Sequence, residues 1–392
     1  MKKIGLVICY FHINYGSMLQ AYATQYIFDK MGFPNDAVYC RDPHMYMSMP
    51  RAEYFFHKLT NKAMLIDKLK RSRRMLVQKV LKTDFCEKQI IRNKQFNEFS
   101  KTYFHVSRAY ENRTDLMTDT KNYSAFVVGS DQLWSPANID NDFYTLTFVP
   151  DEIPKIAYAT SFGTASIPKY QYKRVQTFLN RFDAVSVREE SGRTLIREFT
   201  GQDVPVVLDP TLLLERKDWE KFDDQKSMIE GKYIFCYFLG NNRENRKFAK
   251  RLKEQTGYQI VALLHMDEFI PEDETFADIA PYDVGPKEFV NLIRNAEYVC
   301  TDSFHGTVFS IIFGRKFFVF NRYEESDRMS TNTRIDSLLN MLSLEDRRKI
   351  GNERIQDCLA EKLDFSAAYE MLERKRQESV EYLRAAVGKI TN

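Results

Sequence analysis

The sequence has few of the features by which metal, disulfide and nucleotide sites are usually recognised. Its six cysteines are dispersed without a C-x-x-C pair, and it contains no His-x-x-x-His, no GxGxxG fingerprint and no P-loop. These absences argue against a zinc or disulfide framework and weaken oxidoreductase and kinase interpretations. We therefore expect reduced thiols, no metal site and no cofactor.

The chain also lacks any apolar run long enough to span a bilayer. Its start, two lysines followed by the apolar residues 4–11, resembles a secretion signal superficially, but no small-x-small cleavage site follows. This pattern predicts a first strand and a cytoplasmic protein.

Charge is nearly balanced over the whole chain but not along it. The net charge is +3, whereas residues 58–101 hold 13 Lys or Arg against 4 Asp or Glu, a local charge of +9. Two interpretations of this basic segment stay open: a solvated helix face, or attraction to an anionic membrane surface. Nucleic acid is not expected as a partner, because no recognised binding motif accompanies the charge.

Length and composition indicate two globular domains. At 392 residues the chain exceeds what one hydrophobic core usually serves, and its 44% hydrophobic and 28% charged residues exclude a disordered or fibrous protein. The 30 Phe and 22 Tyr fit either thick cores or carbohydrate-facing surfaces.

Short apolar segments alternate with helical patterns in both halves, which is typical of a doubly wound parallel sheet. Strands are expected at residues 4–9, 124–128, 155–160, 184–187 and 204–208, and then at 233–238, 259–263, 298–300 and 316–320. An amphipathic helix is expected from about residue 18 to residue 30. The predicted fold class is α/β, with two Rossmann-like domains facing each other across a cleft.

The charged, turn-rich residues 215–231 mark the predicted domain boundary. We expect an N-terminal domain at 1–214 with a basic helical insertion at about 51–110, a C-terminal domain at 232–345, and a helical tail at 346–392 that packs back on the N-terminal domain.

A histidine stands where a predicted strand gives way to a predicted helix. Ser303 suits the N-cap, which places His305, Gly306 and Thr307 in the first turn, where unpaired N–H groups and the helix dipole attract anions. Ligands of open parallel sheets bind at this carboxyl end of the strands. The alternative is that these polar residues only cap the helix.

Seven short motifs follow one another along the chain: Asn14-Tyr15-Gly16, Gly129-Ser130-Asp131-Gln132-Leu133-Trp134, Tyr158-Ala159-Thr160-Ser161-Phe162-Gly163, Ser186-Val187-Arg188-Glu189, Asp209-Pro210-Thr211-Leu212, Thr301-Asp302-Ser303-Phe304-His305-Gly306 and Arg334-Ile335-Asp336-Ser337-Leu338-Leu339. Together they resemble the polysaccharide pyruvyl transferase family, over residues 4–339. The resemblance implies a GT-B-like fold. It also implies transfer of a pyruvyl group from phosphoenolpyruvate, the donor substrate, to two hydroxyls of one sugar, with release of phosphate and formation of a cyclic ketal in cell-surface exopolysaccharide biosynthesis.

The resemblance also assigns roles. In this family the histidine matching His305 is taken as the general acid, and basic residues matching Arg188 and Arg334 contact the donor. Some members carry lysine in place of Arg334, which keeps the charge but not the planar fork. The expected donor-binding residues are Arg188, Arg334, Ser303, Gly306 and Thr307.

The residues themselves are suited to this chemistry. Phosphoenolpyruvate carries a carboxylate and a phosphate, so its site needs at least two cations or helix N-termini. Arg188 ends a predicted strand and can form a bidentate clamp, the alternative being a surface arginine paired with Glu189 or Glu190. Protonation of the methylene carbon of the enol needs an acid of near-neutral pKa, which a histidine such as His305 provides.

The acceptor side is expected at the ends of the earlier strands. Asp131 would take a proton from the acceptor hydroxyl or orient the sugar, and Trp134 would stack on it; the alternatives are an N-cap for Asp131 and a core anchor for Trp134. The expected acceptor-binding residues are Asn14, Tyr15, Gly16, Ser17, Gly129, Ser130, Gln132 and Trp134. Asp209 is expected mainly to shape the cleft edge. The histidines without a surrounding motif, expected to be ordinary polar residues, are His44, His57, His105 and His265.

Two other functions stay open. One is a GT-B glycosyltransferase that uses a nucleotide-sugar donor, and the other is a non-catalytic saccharide-binding protein of the same fold. For the pyruvyl transferase, the acceptor is expected to be a saccharide, with a lipid-linked sugar as one option. In that case the basic segment 58–101 would dock the enzyme on the inner leaflet.

Overall fold

The computed structural model describes residues 2–39, 83–265, 269–322 and 333–391, and the structural statements below concern these residues. Much of the predicted basic segment, residues 58–82, lies outside them. Within the described residues, ten strands form two five-stranded parallel sheets.

The first sheet has the order β2-β1-β3-β4-β5. Its strands are β1 (Lys3–Val7), β2 (Asn35–Ala37), β3 (Tyr123–Val128), β4 (Lys155–Thr160) and β5 (Ala184–Val187). The strands are almost entirely buried, as expected for a parallel sheet covered on both faces. The strand predicted at 204–208 is wrong: Val206 forms only an isolated bridge with Val187. Pro205 lacks the N–H that a continued ladder would need.

The second sheet has the order β10-β9-β8-β6-β7. Its strands are β6 (Tyr233–Tyr237), β7 (Gln259–Ala262), β8 (Tyr298–Thr301), β9 (Lys316–Phe320) and β10 (Arg348–Lys349). Because β10 belongs to this sheet, the sheet extends past residue 345, where the sequence placed the end of the domain. The predicted α/β class with two Rossmann-like sheets is confirmed.

The helices cover the faces of both sheets. They are α1 (Tyr15–Lys30), α2 (Thr83–Tyr103), α3 (Arg113–Asp119), α4 (Pro136–Ile139), α5 (Tyr172–Leu179), α6 (Glu190–Thr200), α7 (Pro210–Leu213), α8 (Arg216–Phe222), α9 (Arg243–Thr256), α10 (Pro286–Arg294), α11 (Phe304–Ile312), α12 (Thr333–Leu342), α13 (Ile355–Ala360) and α14 (Ser366–Thr391). No helix among the described residues combines the length and the apolar character needed to cross a membrane.

Helix α1 joins the two domains. It begins at Tyr15 because the Asn14 side chain accepts a hydrogen bond from the Ser17 N–H, at 3.1 Å, and it is buried on most sides rather than being amphipathic. The Tyr15 ring stacks on Phe289 of α10 with the ring centroids 4.8 Å apart, and its hydroxyl donates to the Val284 carbonyl at 2.9 Å. The start of α1 therefore lies in the cleft, held by residues of the second domain.

Helix α14 packs on the first domain. The Ser379 hydroxyl oxygen accepts a hydrogen bond from the Leu208 N–H at 3.0 Å, and Arg376 Nε donates to the Leu212 carbonyl at 2.9 Å. These contacts hold the chain around Leu208 and Leu212 against α14. Asp209 lies in this part of the chain.

Candidate active site

His305 lies at the start of α11, directly after β8. The Ser303 hydroxyl oxygen accepts a hydrogen bond from the Gly306 N–H at 3.3 Å, which confirms the predicted N-cap. His305 is 5% exposed and lies against the first turn of α1, where a Cβ on Gly16 would come within 2.0 Å of His305 Nδ1. Only glycine at position 16 allows this approach of the two domains.

Asp209 joins His305 to the first domain. Its Oδ1 lies 3.7 Å from His305 Nε2, while Oδ2 accepts hydrogen bonds from Arg188 Nη1 at 2.7 Å and from the Ser130 hydroxyl at 2.8 Å. Burial raises the pKa of Asp209, but the proximity of His305 and the charge of Arg188 outweigh it and hold the pKa well below its ordinary value. Asp209 is therefore a charged residue of the site rather than only part of the cleft edge.

Arg188 is buried, with 6% of its surface exposed, so the alternative of a surface arginine is wrong. Its guanidinium lies 4.5 Å from the ring centroid of Phe304 in the second domain, and its Nη2 is 3.7 Å from Asp131 Oδ1. Arg188 Nε and Nη2 are both buried without a hydrogen-bond partner. Because buried guanidinium N–H groups are normally paired, these two are candidates for binding an anion.

Arg334, on α12 of the second domain, lies within electrostatic reach of Arg188. Burial and the positive charge of Arg188 lower the pKa of Arg334 to about 10, against the opposing effect of Asp131 and Glu189. Two arginines from different domains thus repel each other at this point, and a bound anion would relieve that repulsion.

Asp131 follows β3 and has a left-handed backbone conformation, with φ at +83°. A non-glycine residue rarely adopts this conformation, and such strain is concentrated at functional sites. Its Oδ2 accepts a hydrogen bond from the Ser17 hydroxyl at 2.5 Å, whereas the N-cap position of α4 is Ser135, so the N-cap alternative for Asp131 is wrong. Burial raises the pKa of Asp131, but the charges of Arg188 and His305 lower it overall, which keeps the carboxylate ionised.

Glu189 is a residue of the site that the sequence interpretation treated only as a counter-ion. It is fully buried, and its Oε1 accepts a hydrogen bond from the Ser161 hydroxyl at 2.8 Å. Its Oε2 has no hydrogen-bond partner and lies 3.8 Å from Arg188 Nε. Burial raises the pKa of Glu189 above its ordinary value despite the nearby Arg188. Its position directly after Arg188 was the available signal, but sequence does not reveal burial.

Trp134, which was expected to stack on the sugar, lies in the hydrophobic core instead. Its side chain is fully buried, its ring lies 5.4 Å from the rings of Phe162 and Phe178, and its Nε1 donates to the Tyr144 carbonyl at 3.0 Å. The ring therefore presents no face to a sugar. The core-anchor alternative describes its place in the structure.

Several predicted ligand-binding hydroxyls are engaged within the protein. Ser17 and Ser130 donate to Asp131 and Asp209, as described above, and Thr307 donates to the Ser303 carbonyl at 3.0 Å. Their observed role is to hold the carboxylates and the first turn of α11 in place.

The glycines allow close packing around these groups. A Cβ on Gly306 would lie 2.5 Å from Thr301 Oγ1, and one on Gly129 would lie 2.6 Å from Ile8 Cγ2. The side chain of Gln132 lies against Gly163, where a Cβ would come within 2.1 Å of its Nε2. Among the described residues, no group of three or more His, Cys, Asp or Glu side chains is arranged to hold a metal ion.

Comparison with known proteins identifies the family. The family model for polysaccharide pyruvyl transferases matches residues 14–323. The chain belongs to the polysaccharide pyruvyl transferase family. The match includes Asp131, Arg188, Asp209 and His305 and ends before Arg334. Membership makes the protein a transferase of polysaccharide biosynthesis, with a saccharide as the expected acceptor.

Solved structures align with nearly the whole chain at low sequence identity. A putative UDP-N-acetylglucosamine 2-epimerase from Listeria monocytogenes aligns with a TM-score of 0.50 at 11% identity, covering 99% of this chain and 96% of that one. ADP-heptose LPS heptosyltransferase II from E. coli aligns with a TM-score of 0.40 at 12% identity, covering 100% of both chains. The glycosyltransferase SnogD from Streptomyces nogalater aligns with a TM-score of 0.45 at 11% identity, covering 100% of this chain and 99% of that one.

The likeness to the Listeria structure concerns the fold alone and agrees with the GT-B-like architecture predicted from the sequence. No curated protein is significantly similar to the chain.

Proposed function

We propose that this transferase moves the pyruvyl group of phosphoenolpyruvate onto two hydroxyls of one saccharide, forming a cyclic ketal and releasing phosphate. The observation that carries the proposal is the cluster of His305, Arg188 and Arg334, in which the buried atoms Arg188 Nε, Arg188 Nη2 and His305 Nε2 have no hydrogen-bond partner among the described residues. A small, highly charged anion would satisfy all three atoms.

The donor would bind between the two arginines. Its carboxylate and phosphate would pair with the unpartnered N–H groups of Arg188 and with Arg334, and the repulsion between the two cations favours an anion at this point. The nearby carboxylates of Asp131 and Asp209 fix Arg188 in place and limit the net positive charge, so that phosphate can leave after transfer.

His305 would begin the reaction as the general acid. In its imidazolium form it gives a proton to the methylene carbon of phosphoenolpyruvate, which becomes the methyl group and leaves C2 electrophilic. Asp209 Oδ1 lies 3.7 Å from His305 Nε2, so its carboxylate places a negative charge beside the ring.

The two ketal bonds then form at C2. One sugar hydroxyl adds to C2 and loses its proton to Asp131, which is ionised and fixed by Ser17. The second hydroxyl adds as the C2–O bond to phosphate breaks, and its proton leaves with the phosphate. One methyl group, two new C–O bonds and one phosphate account for all the atoms, and passage of the Asp131 proton to His305 through solvent returns both groups to their starting state.

The direct test is an assay with phosphoenolpyruvate and a panel of free and lipid-linked sugars, followed by phosphate release and the mass of the product. We expect phosphate release that requires both substrates and a product heavier by one pyruvyl ketal. Consumption of a nucleotide sugar, with indifference to phosphoenolpyruvate, would instead support the GT-B glycosyltransferase, and binding without turnover would support the non-catalytic alternative.

The basic segment motivates a second proposal, that the enzyme acts on a lipid-linked acceptor at an anionic membrane surface. Of its described basic residues, Arg92 is buried and donates to the carbonyls of Leu264 and Pro281, so it joins the two domains instead of facing a membrane. The proposal therefore depends on the remaining basic residues. Equal partitioning onto neutral and anionic vesicles at low salt would contradict it.

A further inference from the structure

A small cavity lies in the cleft beside the His305 site. It has a volume of about 190 Å³ and is enclosed by the loop before α1, one face of α2 and the carboxyl ends of β6 and β7. We call it the cleft cavity, and its lining includes Asn14, Asn93, Phe96, Tyr237, Leu239 and His265. Both domains contribute to it, so a ligand bound here would lie in the cleft between them.

His265 is held rigidly in the wall of this cavity. Its Nδ1 lies 3.1 Å from Asp273 Oδ2, and the other oxygen of Asp273 accepts a hydrogen bond from Arg246 at 2.8 Å. Arg246 is fixed in turn by the Asn242 carbonyl, at 3.2 Å. Side-chain exposure is 7% for His265, 8% for Asp273 and 5% for Arg246, so the three form one buried chain of polar contacts.

The free nitrogen of this histidine is the unusual feature. His265 Nε2 is buried and has no hydrogen-bond partner among the described residues. The pKa of Asp273 is lowered, because the hydrogen bond from His265 and the charge of Arg246 outweigh the effect of burial. An ionised Asp273 accepts a proton from Nδ1, and in that tautomer Nε2 is an acceptor for a hydroxyl group.

The rest of the lining favours a neutral ligand. Asn14 and Asn93 carry amide groups, and Phe96 and Tyr237 provide apolar walls. The guanidinium of Arg92 donates hydrogen bonds to carbonyls at the domain contact, Leu264 O at 2.9 Å among them, instead of presenting them to the cavity. Amides, aromatic rings and a single imidazole acceptor suit the hydroxyls and C–H faces of a sugar better than a phosphate.

The cavity is coupled to the catalytic histidine on two sides. Asn14 and Tyr15 of its lining directly precede Gly16, which lies against His305. The Asp302 carboxylate, three residues before His305, accepts a hydrogen bond from the Leu239 N–H at 2.6 Å. A sugar ring in the cavity would therefore extend toward the proposed proton donor.

We propose that the cleft cavity is the subsite for one neutral sugar ring of the acceptor, with His265 Nε2 accepting a hydrogen bond from a ring hydroxyl. This inference rests on the proposed function for the identity of the acceptor. It makes His265 a substrate-binding residue, although no sequence motif surrounds it, and gives Arg246 and Asp273 the role of positioning residues.

The decisive variant is His265→Asn. Its amide can keep the hydrogen bond to Asp273 while removing the acceptor at Nε2. We expect the acceptor KM to rise about 3- to 10-fold, as for loss of one hydrogen bond, with the KM for phosphoenolpyruvate unchanged. Asn93→Ala, which removes an amide from the opposite wall without touching Asp273, should change the same parameter. His105→Asn is the matched control, because His105 also contacts a carboxylate, Asp29 at 3.1 Å, outside the cleft lining.

Binding can be measured without turnover. Saturation-transfer NMR with the methyl glycosides of glucose, galactose, mannose and N-acetylglucosamine, in the absence of phosphoenolpyruvate, should give signals with the unmodified protein and with His105→Asn, and weakened signals with His265→Asn and Asn93→Ala. Equal signals from all four proteins, or no glycoside signal from the unmodified protein, would overturn the subsite. Signals that depend on His265 in a protein without phosphoenolpyruvate-dependent phosphate release would retain the subsite and overturn the proposed function.

Discussion

Asp209 Oδ1 lies 3.7 Å from His305 Nε2, and this contact brings a carboxylate of the first domain to the histidine of the second. The other oxygen of Asp209 holds Arg188 at 2.7 Å. One buried carboxylate thus fixes both the proposed proton donor and the proposed donor clamp, so the site exists only when the two domains are in contact.

Replacing His305 tests the general acid. We expect His305→Ala to lower kcat by roughly 10²- to 10⁴-fold, the usual contribution of a placed general acid. The N-cap at Ser303 is retained, so circular dichroism and thermal unfolding should show a folded protein. Near-normal pyruvyl transfer by the folded variant would contradict the assignment.

Replacing Asp209 tests the influence of its charge on His305. In Asp209→Asn the negative charge beside His305 and the ion pair with Arg188 are both lost, so kcat should fall and the KM for phosphoenolpyruvate should rise. The lowered pKa of Asp209 means that the carboxylate itself does not titrate near neutral pH in the unmodified protein. Unchanged steady-state kinetics in the folded variant would show that the charge of Asp209 does not assist the acid or the donor clamp.

Asp209 should also make the free energy of unfolding depend on pH in the acid range. Because its pKa is lowered in the folded state, its stabilising contribution is present above the unfolded-state pKa of about 3.9 and is lost as pH falls below it toward the folded-state value. The difference in free energy of unfolding between the unmodified protein and Asp209→Asn should therefore be largest near neutral pH and shrink below about pH 4. Urea unfolding at a series of pH values measures it. A difference independent of pH would contradict this linkage.

The two arginines should tolerate lysine differently. Arg188→Lys loses the fork that contacts Asp209 and Asp131 together, so we expect the KM for phosphoenolpyruvate to rise and kcat to fall. Arg334→Lys keeps the charge, and the family resemblance includes members with lysine at this position, so most activity should remain. Steady-state kinetics with varied phosphoenolpyruvate compares them. Equal losses in both variants would show that only charge matters at these positions.

Gly16→Ala tests the close contact of the domains. The added Cβ would lie 2.0 Å from His305 Nδ1, so either the histidine or the first turn of α1 must shift. We expect a loss of about 1–3 kcal/mol in the free energy of unfolding together with a lower kcat. The control is Gly388→Ala in α14, where a Cβ has nothing within 4 Å and alanine should stabilise the helix slightly. Similar effects of the two changes would argue against the predicted clash.

Trp134→Phe distinguishes a core residue from a sugar platform. Loss of the hydrogen bond to the Tyr144 carbonyl should lower the free energy of unfolding by about 1–3 kcal/mol. The acceptor KM should not change, because the ring is fully buried. A raised acceptor KM in a stable variant would restore the stacking role.

Local pattern predicted most of the fold. The strand that includes residues 298–300 was predictable because a buried parallel strand needs a short apolar run. The Ser303 cap was predictable because a helix start needs a side-chain acceptor. Both features can be recognised from neighbouring residues. The strand predicted at 204–208 was wrong because whether a short apolar segment joins a sheet depends on its partner's hydrogen bonds.

The sequence by itself determined the family and the α/β class, and it predicted His305, Arg188 and Arg334 as a set. Tertiary structure decided which groups meet. Asp209 and His265 acquire their roles from neighbours that are far away in the chain or in the other domain. Burial removes the proposed sugar-stacking role of Trp134, and it places the Glu189 carboxylate out of contact with solvent. The physical reason is that burial and electrostatic environment depend on distances between elements, which residue type and spacing along the chain do not specify.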